Sequence, residues 1–165
     1  MKNDNYKGYA GRYRKKAHEE IEYIFRELLP RRGLNVRKEQ LRLSHEMLDT
    51  LWGKQIALCD AGVGIGKTYA YLAACIMWEK YRERSGNATG YHMSCQSSVI
   101  STSSITLQDA ILREYIPFLS KLLLEEKIIQ VPLKAVVRKG KEHFVCDSRL
   151  RLRRAGIPDK KKNEN

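Results

Sequence analysis

The feature that most constrains this chain is a glycine-rich turn, Ala61-Gly-Val-Gly-Ile-Gly-Lys-Thr68, in which every second residue before a Lys-Thr pair is glycine. A loop that binds phosphate needs glycines because its backbone N–H groups must turn inward toward the anion. The helix that follows adds the positive end of its dipole. In this pattern Lys67 reaches the β- and γ-phosphates, and the Thr68 hydroxyl binds Mg²⁺. The usual motif begins with glycine, whereas this one begins with Ala61.

The segments around the turn predict a strand, a phosphate loop and a helix in that order. Gln55–Asp60 is a short apolar run, which is typical of a buried strand, and a helix is predicted from Lys67 to about Tyr81. Two more strands are predicted over Ser97–Thr102 and Val131–Arg138. Because strands that alternate with helices form parallel sheets, we predict an α/β fold with helices flanking a parallel sheet.

Apolar spacing predicts the remaining helices. The i, i+3, i+4, i+7 pattern indicates an amphipathic helix over Ala17–Leu29 that stops at Pro30. A second helix is predicted from about Arg37 to Trp52, and a third over Ile105–Leu124, where Pro117 marks a break or a new first turn. A surface loop is predicted between residues 85 and 96.

Charge is concentrated at the two ends of the chain. The formal net charge is +12, of which residues 1–42 contribute +6 and residues 134–165 contribute +7, while residues 43–133 carry −1. Clustered lysine and arginine favour nucleic acid as a partner because they neutralise phosphates and release counterions. The alternative is that the two ends are solvated tails. We therefore predict a flexible basic arm over 1–16, a nucleotide-binding domain over 17–152 and a basic disordered tail over 153–165.

Composition narrows the class of protein. No apolar run approaches the roughly 20 residues that cross a bilayer, and the first 16 residues lack an apolar signal core, so we expect a cytoplasmic protein without a membrane partner. The four cysteines are far apart and form no CxxC pair, which excludes a recognisable disulfide framework or zinc motif. Three of them, Cys59, Cys75 and Cys95, are predicted to be core thiols.

The turn and its surroundings resemble a helicase motif. AxxGxGKT resembles motif I of superfamily 2 helicases, and Asp60-Ala-Gly-Val-Gly-Ile-Gly-Lys-Thr-Tyr-Ala-Tyr-Leu72 resembles the corresponding segment of DinG/XPD-type DNA helicases. Asp60 stands where that family usually has Glu. The resemblance implies a RecA-like P-loop fold and an incomplete first motor lobe. It also implies that ATP is bound, with Mg²⁺, by Ala61, Gly62, Gly64, Gly66, Lys67 and Thr68.

Two further segments resemble the same family. Val36-Arg-Lys-Glu-Gln40 is similar to the family's RxxQ segment, which implies that Arg37 and Gln40 contact the adenine side of ATP. Val99–Gln108 resembles motif Ia, VISTxTxxLQ, which contacts the DNA backbone. This resemblance implies DNA contacts at Ser101, Thr102, Ser103 and Gln108. Hydroxyl groups at a strand end suit phosphate binding, although Thr102 and Ser103 could also cap the next helix.

Val137–Cys146 is similar to the family's KGRxNYxC segment, in which the cysteine is the first of four ligands of a [4Fe–4S] cluster. A cluster requires four thiolates as a rule, and no cysteine follows Cys146. We therefore expect Cys146 to be a cluster ligand only in a longer parent protein.

The resemblance implies an ATP-dependent helicase that moves along single-stranded DNA, but no predicted strand ends in the Asp-Glu pair that the hydrolysis step requires. We therefore expect this chain to bind ATP and to be inactive by itself. One alternative is another P-loop ATPase, such as a helicase loader, against which the Val99–Gln108 segment argues. The other is a non-catalytic protein that binds nucleic acid or the full helicase through its basic ends. The sequence does not determine the oligomeric state.

Overall fold

The computed structural model describes the backbone of residues 4–53, 55–89, 97–140 and 146–156, with side chains described except at 4–10 and 83–89. By its contacts the chain divides into two units, Met1–Ala135 and Val136–Asn165. The second unit contains one described helix, α7, over Asp147–Arg154.

The first unit is built from helices. Helix α1 spans Asp4–Tyr23 and continues through a π-helical turn, Ile24–Leu28, into α2, Leu29–Arg31. Helix α3 spans Lys38–Gly53 and α4 spans Lys67–Thr89. Helix α5, Ile105–Ala110, continues through a second π-helical turn, Ile111–Tyr115, into α6, Ile116–Glu125.

One apolar core joins α1, α3, α4 and α6. From α1 and its π-helical turn it includes Ile21, Ile24, Phe25 and Leu28, each at most 2% exposed. Its members from the other helices are Leu41 and Leu48 of α3, Leu72, Ala73, Ala74, Met77 and Tyr81 of α4, and Leu119, Leu122 and Leu123 of α6. These positions follow the helical spacing predicted from the sequence, which is why the helices bury one side of each cylinder together.

The prediction of a parallel α/β sheet is wrong for the described residues. They contain no strand, and the predicted strands over 55–60, 97–102 and 131–138 are irregular or extended without ladder pairing. Ile56 and Leu58, which a buried strand would cover, are 96% and 98% exposed. A RecA-like sheet is therefore absent from the described residues. The physical reason is that a strand depends on backbone hydrogen bonds to a neighbouring strand, whereas a helix satisfies its own backbone.

In the segment before the phosphate loop, successive side chains point alternately toward the helices and toward solvent. Ala57 and Cys59 line an apolar cavity of about 370 Å³ between α3 and α4, whereas Ile56 and Leu58 point to solvent. Small side chains therefore face the helices and large ones face away. Cys59 is exposed, which corrects its prediction as a core thiol, and Cys75 is partly buried. Burial raises the pKa of the Cys75 thiol. Cys95 lies outside the described residues.

Three helix limits differ from the sequence prediction. Helix α1 already begins at Asp4, within the segment predicted as an arm. The helix also continues past Pro30, because the preceding π-helical turn shifts the hydrogen-bond pattern and Pro30 lies in the first turn of α2, where its missing N–H is tolerated. Helix α4 extends to Thr89, into the predicted loop, whose residues 90–96 lie outside the described part. Among the described residues, no helix is long and apolar enough to cross a membrane.

Candidate nucleotide-binding site

The glycine-rich turn lies directly before α4, as the sequence predicts. Gly64 and Gly66 have φ angles of +84° and +83°, a region that residues with a Cβ rarely adopt. Glycine is therefore required at these two positions by the backbone itself. Gly62 and Gly64 are exposed, so the loop presents its backbone to solvent at the N-terminal end of a long helix. This is the environment in which a phosphate group is stabilised by the helix dipole.

Gln40 supports the turn from α3. Its side chain is only 5% exposed, and its amide Nε2 donates a hydrogen bond of 2.7 Å to the carbonyl oxygen of Gly66. The same carbonyl accepts the N–H of Ala70 at 3.4 Å, so it joins the first turn of α4 to α3. A Cβ built on Gly66 would lie 2.0 Å from Gln40 Nε2. The close approach of Gln40 is thus a second reason for glycine at this position.

Lys67 is folded back onto the loop. Its ammonium group donates to the carbonyl oxygens of Ala61 at 2.8 Å and Gly62 at 3.1 Å. The Lys67 side chain is exposed, and these neutral carbonyls are its partners in the structure. An ammonium bound to neutral carbonyls can exchange them for phosphate oxygens, because a negatively charged oxygen attracts the ammonium more strongly than a neutral one does.

The other predicted nucleotide contacts are near the loop or exposed. Thr68 occupies the first turn of α4 and is partly buried. Arg37 immediately precedes α3, where its carbonyl accepts the N–H of Leu41 at 3.1 Å, and its side chain is exposed. The structure thus brings Gln40 to the loop, whereas Arg37 makes no described contact with it.

The predicted DNA-contact segment forms the start of α5. Ser104 caps the helix by accepting the N–H of Leu107 at 3.2 Å, so the capping residue is neither Thr102 nor Ser103. Thr102 Oγ1 instead accepts the N–H of Ser104, and the Gln108 side chain donates to the Thr102 carbonyl at 3.2 Å. Ser101 and Ser103 are exposed. The segment therefore offers free hydroxyls at those two positions, while Gln108 holds the turn.

Sequence reasoning missed a link between α4 and the residue directly before this segment. The carboxylate of Glu79 accepts the backbone N–H of Ser98 at 2.6 Å in a partly buried position. Glu79 lies on the same helix as Thr68, three turns further along. No sequence signal identifies this bond, because it joins a side chain to a backbone group across a segment without a periodic pattern.

The basic helix α7 differs from three paired arginines of the first unit. Arg14, Arg26 and Arg32 each pair with a carboxylate, Asp49, Glu22 and Glu125 respectively. Within the described residues, the four arginines of α7 are exposed and take part in no ion pair; they are Arg149, Arg151, Arg153 and Arg154. They are therefore available to an anionic partner.

The described residues do not fit a [4Fe–4S] cluster. Cys146 is exposed and precedes α7, and Cys59 and Cys75 are also free. No group of three or more His, Cys, Asp or Glu side chains in the part of the chain that the structure describes is arranged to hold a metal ion. A cluster normally requires four thiolates. Cys146 as a cluster ligand in a longer parent protein stays a prediction.

Comparison with known proteins gives relatives along most of the chain. It is 35% identical over 114 residues to a protein named 3'-5' exonuclease DinG from Staphylococcus saprophyticus, covering 69% of this chain and 11% of the relative. It is 30% identical over 120 residues to the protein of the same name from Bacillus subtilis, covering 73% and 11% respectively. It is 28% identical over 119 residues to ATP-dependent DNA helicase YoaA from Haemophilus influenzae, covering 72% and 15%.

The chain therefore matches only 11% to 15% of the length of these three relatives. No family model matches the chain. No solved structure matches it either.

Proposed function

Because the chain belongs to the DinG/YoaA-type helicase family, we propose that it binds Mg-ATP through its glycine-rich loop and supplies this site to ATP-dependent DNA unwinding. The observation that carries the proposal is the loop itself: Gly64 and Gly66 have positive φ, and Lys67 lies over the loop at the start of α4. A phosphate loop binds nucleotides. We therefore propose for this chain the ATP-dependent activity of the relative named a helicase, rather than the nuclease activity of the relatives named exonucleases.

In the proposed complex, phosphate oxygens replace the carbonyls of Ala61 and Gly62 as partners of Lys67. The Thr68 hydroxyl would bind Mg²⁺, and the backbone N–H groups of the loop would surround the phosphates. Gln40 holds the Gly66 carbonyl and so fixes the loop against α3. From the family resemblance, we also propose that Arg37 and Gln40 contact the adenine side of ATP.

DNA is the second proposed partner. The exposed hydroxyls of Ser101 and Ser103, together with Thr102 and Gln108, would contact the backbone of single-stranded DNA, and the arginines of α7 would add phosphate contacts. Both kinds of contact bind phosphate and sugar, so the proposed binding is independent of base sequence. We propose that this chain by itself binds nucleotide without turnover, since its sequence contains no Asp-Glu pair at any position.

The test is Mg-ATP binding by the full chain, measured by isothermal titration calorimetry. Lys67→Ala should weaken binding by about tenfold or more, because the charge-assisted contact to phosphate is lost. Lys121→Ala is the matched control, since Lys121 is an exposed lysine of α6 and its loss changes the net charge equally.

Equal binding by wild type and Lys67→Ala would overturn the nucleotide proposal. Turnover in the presence of single-stranded DNA, at the rate of an ordinary helicase, would overturn the proposal that the chain does not hydrolyse ATP. Circular dichroism of each variant should match wild type, since Lys67 and Lys121 are both exposed.

A further inference from the structure

Two histidines face each other between α1 and α3. The Nδ1 atoms of His18 and His45 are 2.7 Å apart, and the ring centroids are 4.9 Å apart with an interplanar angle of 32°. The two side chains are 25% and 23% exposed. A nitrogen–nitrogen distance of 2.7 Å is that of a hydrogen bond, so one Nδ1 must carry a hydrogen and the other a lone pair.

Each imidazole also contacts a carboxylate of the opposite helix. His18 Nε2 is 2.7 Å from Asp49 Oδ1, and His45 Nε2 is 3.1 Å from Glu22 Oε1. In both helices the acidic residue follows the histidine by four positions, so each pair shares one helix face and the two pairs cross. An ionised carboxylate accepts hydrogen bonds and cannot donate one. Both Nε2 atoms must therefore carry hydrogen.

These contacts determine the number of protons. Two hydrogens on the Nε2 atoms and one between the Nδ1 atoms give three N–H hydrogens on two rings, which is one more than two neutral imidazoles hold. We propose that His18 and His45 share a single proton and act as a pH-sensitive clamp between α1 and α3. The clamp is strongest when the pair carries one positive charge.

The clamp weakens on both sides of that state. A second proton places two N–H groups against each other at the Nδ1 contact, which removes the hydrogen bond and adds charge repulsion. Loss of the shared proton leaves two lone pairs facing each other, unless one ring changes tautomer and gives up its bond to Asp49 or Glu22. Either change removes at least one hydrogen bond that the singly protonated pair makes.

Each carboxylate beside the histidine pair is shared with an arginine. On α1, Arg26 pairs with Glu22, and Arg14 lies 2.7 Å from Asp49 of α3. Each carboxylate therefore contacts one arginine and one imidazole. From α4, which packs against both helices, the Lys80 ammonium bonds to Glu20.

Linkage gives the expected pH dependence. The folded pair holds one proton beyond its neutral forms. Two ordinary imidazoles in the unfolded chain hold the same number, on average, near a pH of about 6.5. Below that pH the unfolded chain binds more protons than the folded one, and above it fewer, so stability from the pair falls in both directions.

The experiment is a double-mutant cycle on the full chain. The unfolding equilibrium constant in urea is measured between about pH 5 and 8.5 for wild type, His18→Ala, His45→Ala and the double variant. The coupling between His18 and His45, expressed as a factor in the unfolding equilibrium constant, should be roughly tenfold near pH 6.5, as for a hydrogen bond to a charged group. It should fall toward both ends of the pH range. The matched control is the exposed pair Arg42 and Glu46, whose cycle should show no maximum in this range.

A coupling that is constant with pH, or that changes in one direction only, would overturn the proposal. If a variant does not fold, long-range ¹H–¹⁵N spectra of the wild-type imidazoles decide the question. Near pH 6.5 they should show hydrogen on both Nε2 atoms and one hydrogen shared between the Nδ1 atoms. A ring with hydrogen on Nδ1 and none on Nε2, or two fully protonated rings, would overturn the proposal as well.

Discussion

The helical core and the extended segments of the first unit contain similar apolar residues but expose them very differently. Ile24, Phe25 and Leu28 are at most 2% exposed, whereas Ile56, Leu58 and Val99 are more than 90% exposed. The core residues lie on helices, whose backbone hydrogen bonds form within the helix. The extended residues lie in segments whose backbones need a neighbouring strand to become regular. Burial of apolar side chains therefore follows from how each backbone satisfies its polar groups.

Apolar substitution should separate the two regions most clearly. Phe25→Ala removes a ring that is 2% exposed and should reduce the free energy of unfolding by about 3 to 5 kcal/mol. Ile56→Ala removes a side chain that is 96% exposed and should change it by no more than about 0.5 kcal/mol. Urea unfolding followed by circular dichroism measures both. A large effect of Ile56→Ala would contradict the described exposure of that segment.

Alanine substitution of the loop glycines tests the turn that joins the exposed segment 55–60 to helix α4. Gly66→Ala combines a φ of +83° with a clash against Gln40 and should cost about 1 to 3 kcal/mol. Gly64→Ala has the same backbone strain but open space, and should cost about 1 kcal/mol. Gly62→Ala meets no atom within 4 Å and serves as the control, with an effect near zero. Urea unfolding gives all three values.

The clash makes a further distinction possible. Combining Gly66→Ala with Gln40→Ala removes the clash and leaves the backbone strain. In a thermal unfolding series, we expect the cost of Gly66→Ala to be smaller in the Gln40→Ala background than in wild type. An unchanged cost would mean that Gln40 does not restrict the space at Gly66.

The smallest expected effect concerns acid. The hydrogen bond from Arg26 lowers the pKa of Glu22 against the opposing effect of burial. Burial raises the pKa of Asp49, but hydrogen bonds from Arg14 and His18 outweigh it and hold that pKa below its ordinary value. Carboxylates with lowered pKa stabilise the fold above their unfolded pKa, and this stability is lost as the pH falls through the folded pKa.

The stability of the helical region should therefore decrease between about pH 5 and pH 3. Urea midpoints across this range should decrease less steeply in Glu22→Gln and Asp49→Asn than in wild type. Glu39→Gln is the control, since Glu39 is exposed and makes no described ion pair. A wild-type slope retained in both variants would show that these two carboxylates do not carry the acid sensitivity.

Periodicity predicted the helices well because each helical face is visible in the sequence. The pattern around Ile21, Phe25 and Leu28 identified their common buried side, and the apolar stripe of α3 identified Leu41 and Leu48. The predicted strands failed for the opposite reason. A short apolar run such as Gln55–Asp60 shows that a segment can be extended, but it does not show whether another segment will pair with it.

The candidate site divides in the same way. Alternating glycines before Lys67 identified the loop, and the positive φ angles of Gly64 and Gly66 agree with the need for glycine there. The residue-by-residue roles in nucleotide and DNA binding remain predictions. The bond from Gln40 to the Gly66 carbonyl was not visible, because it joins residues 26 positions apart. The crossed histidine and carboxylate pairs had a partial signal in their common spacing of four residues, but the sequence does not show that the two helices meet.

The sequence by itself indicated the amphipathic helices of the core, the glycine-rich loop at the start of α4 and the relationship to DinG and YoaA proteins, since each depends on residues that are close along the chain. Only the tertiary structure decided that Ile56 and Leu58 are exposed, that Gln40 holds the loop, and that His18 meets His45. The physical reason is that each of these features depends on which distant segments meet, and that is decided by how the helices pack.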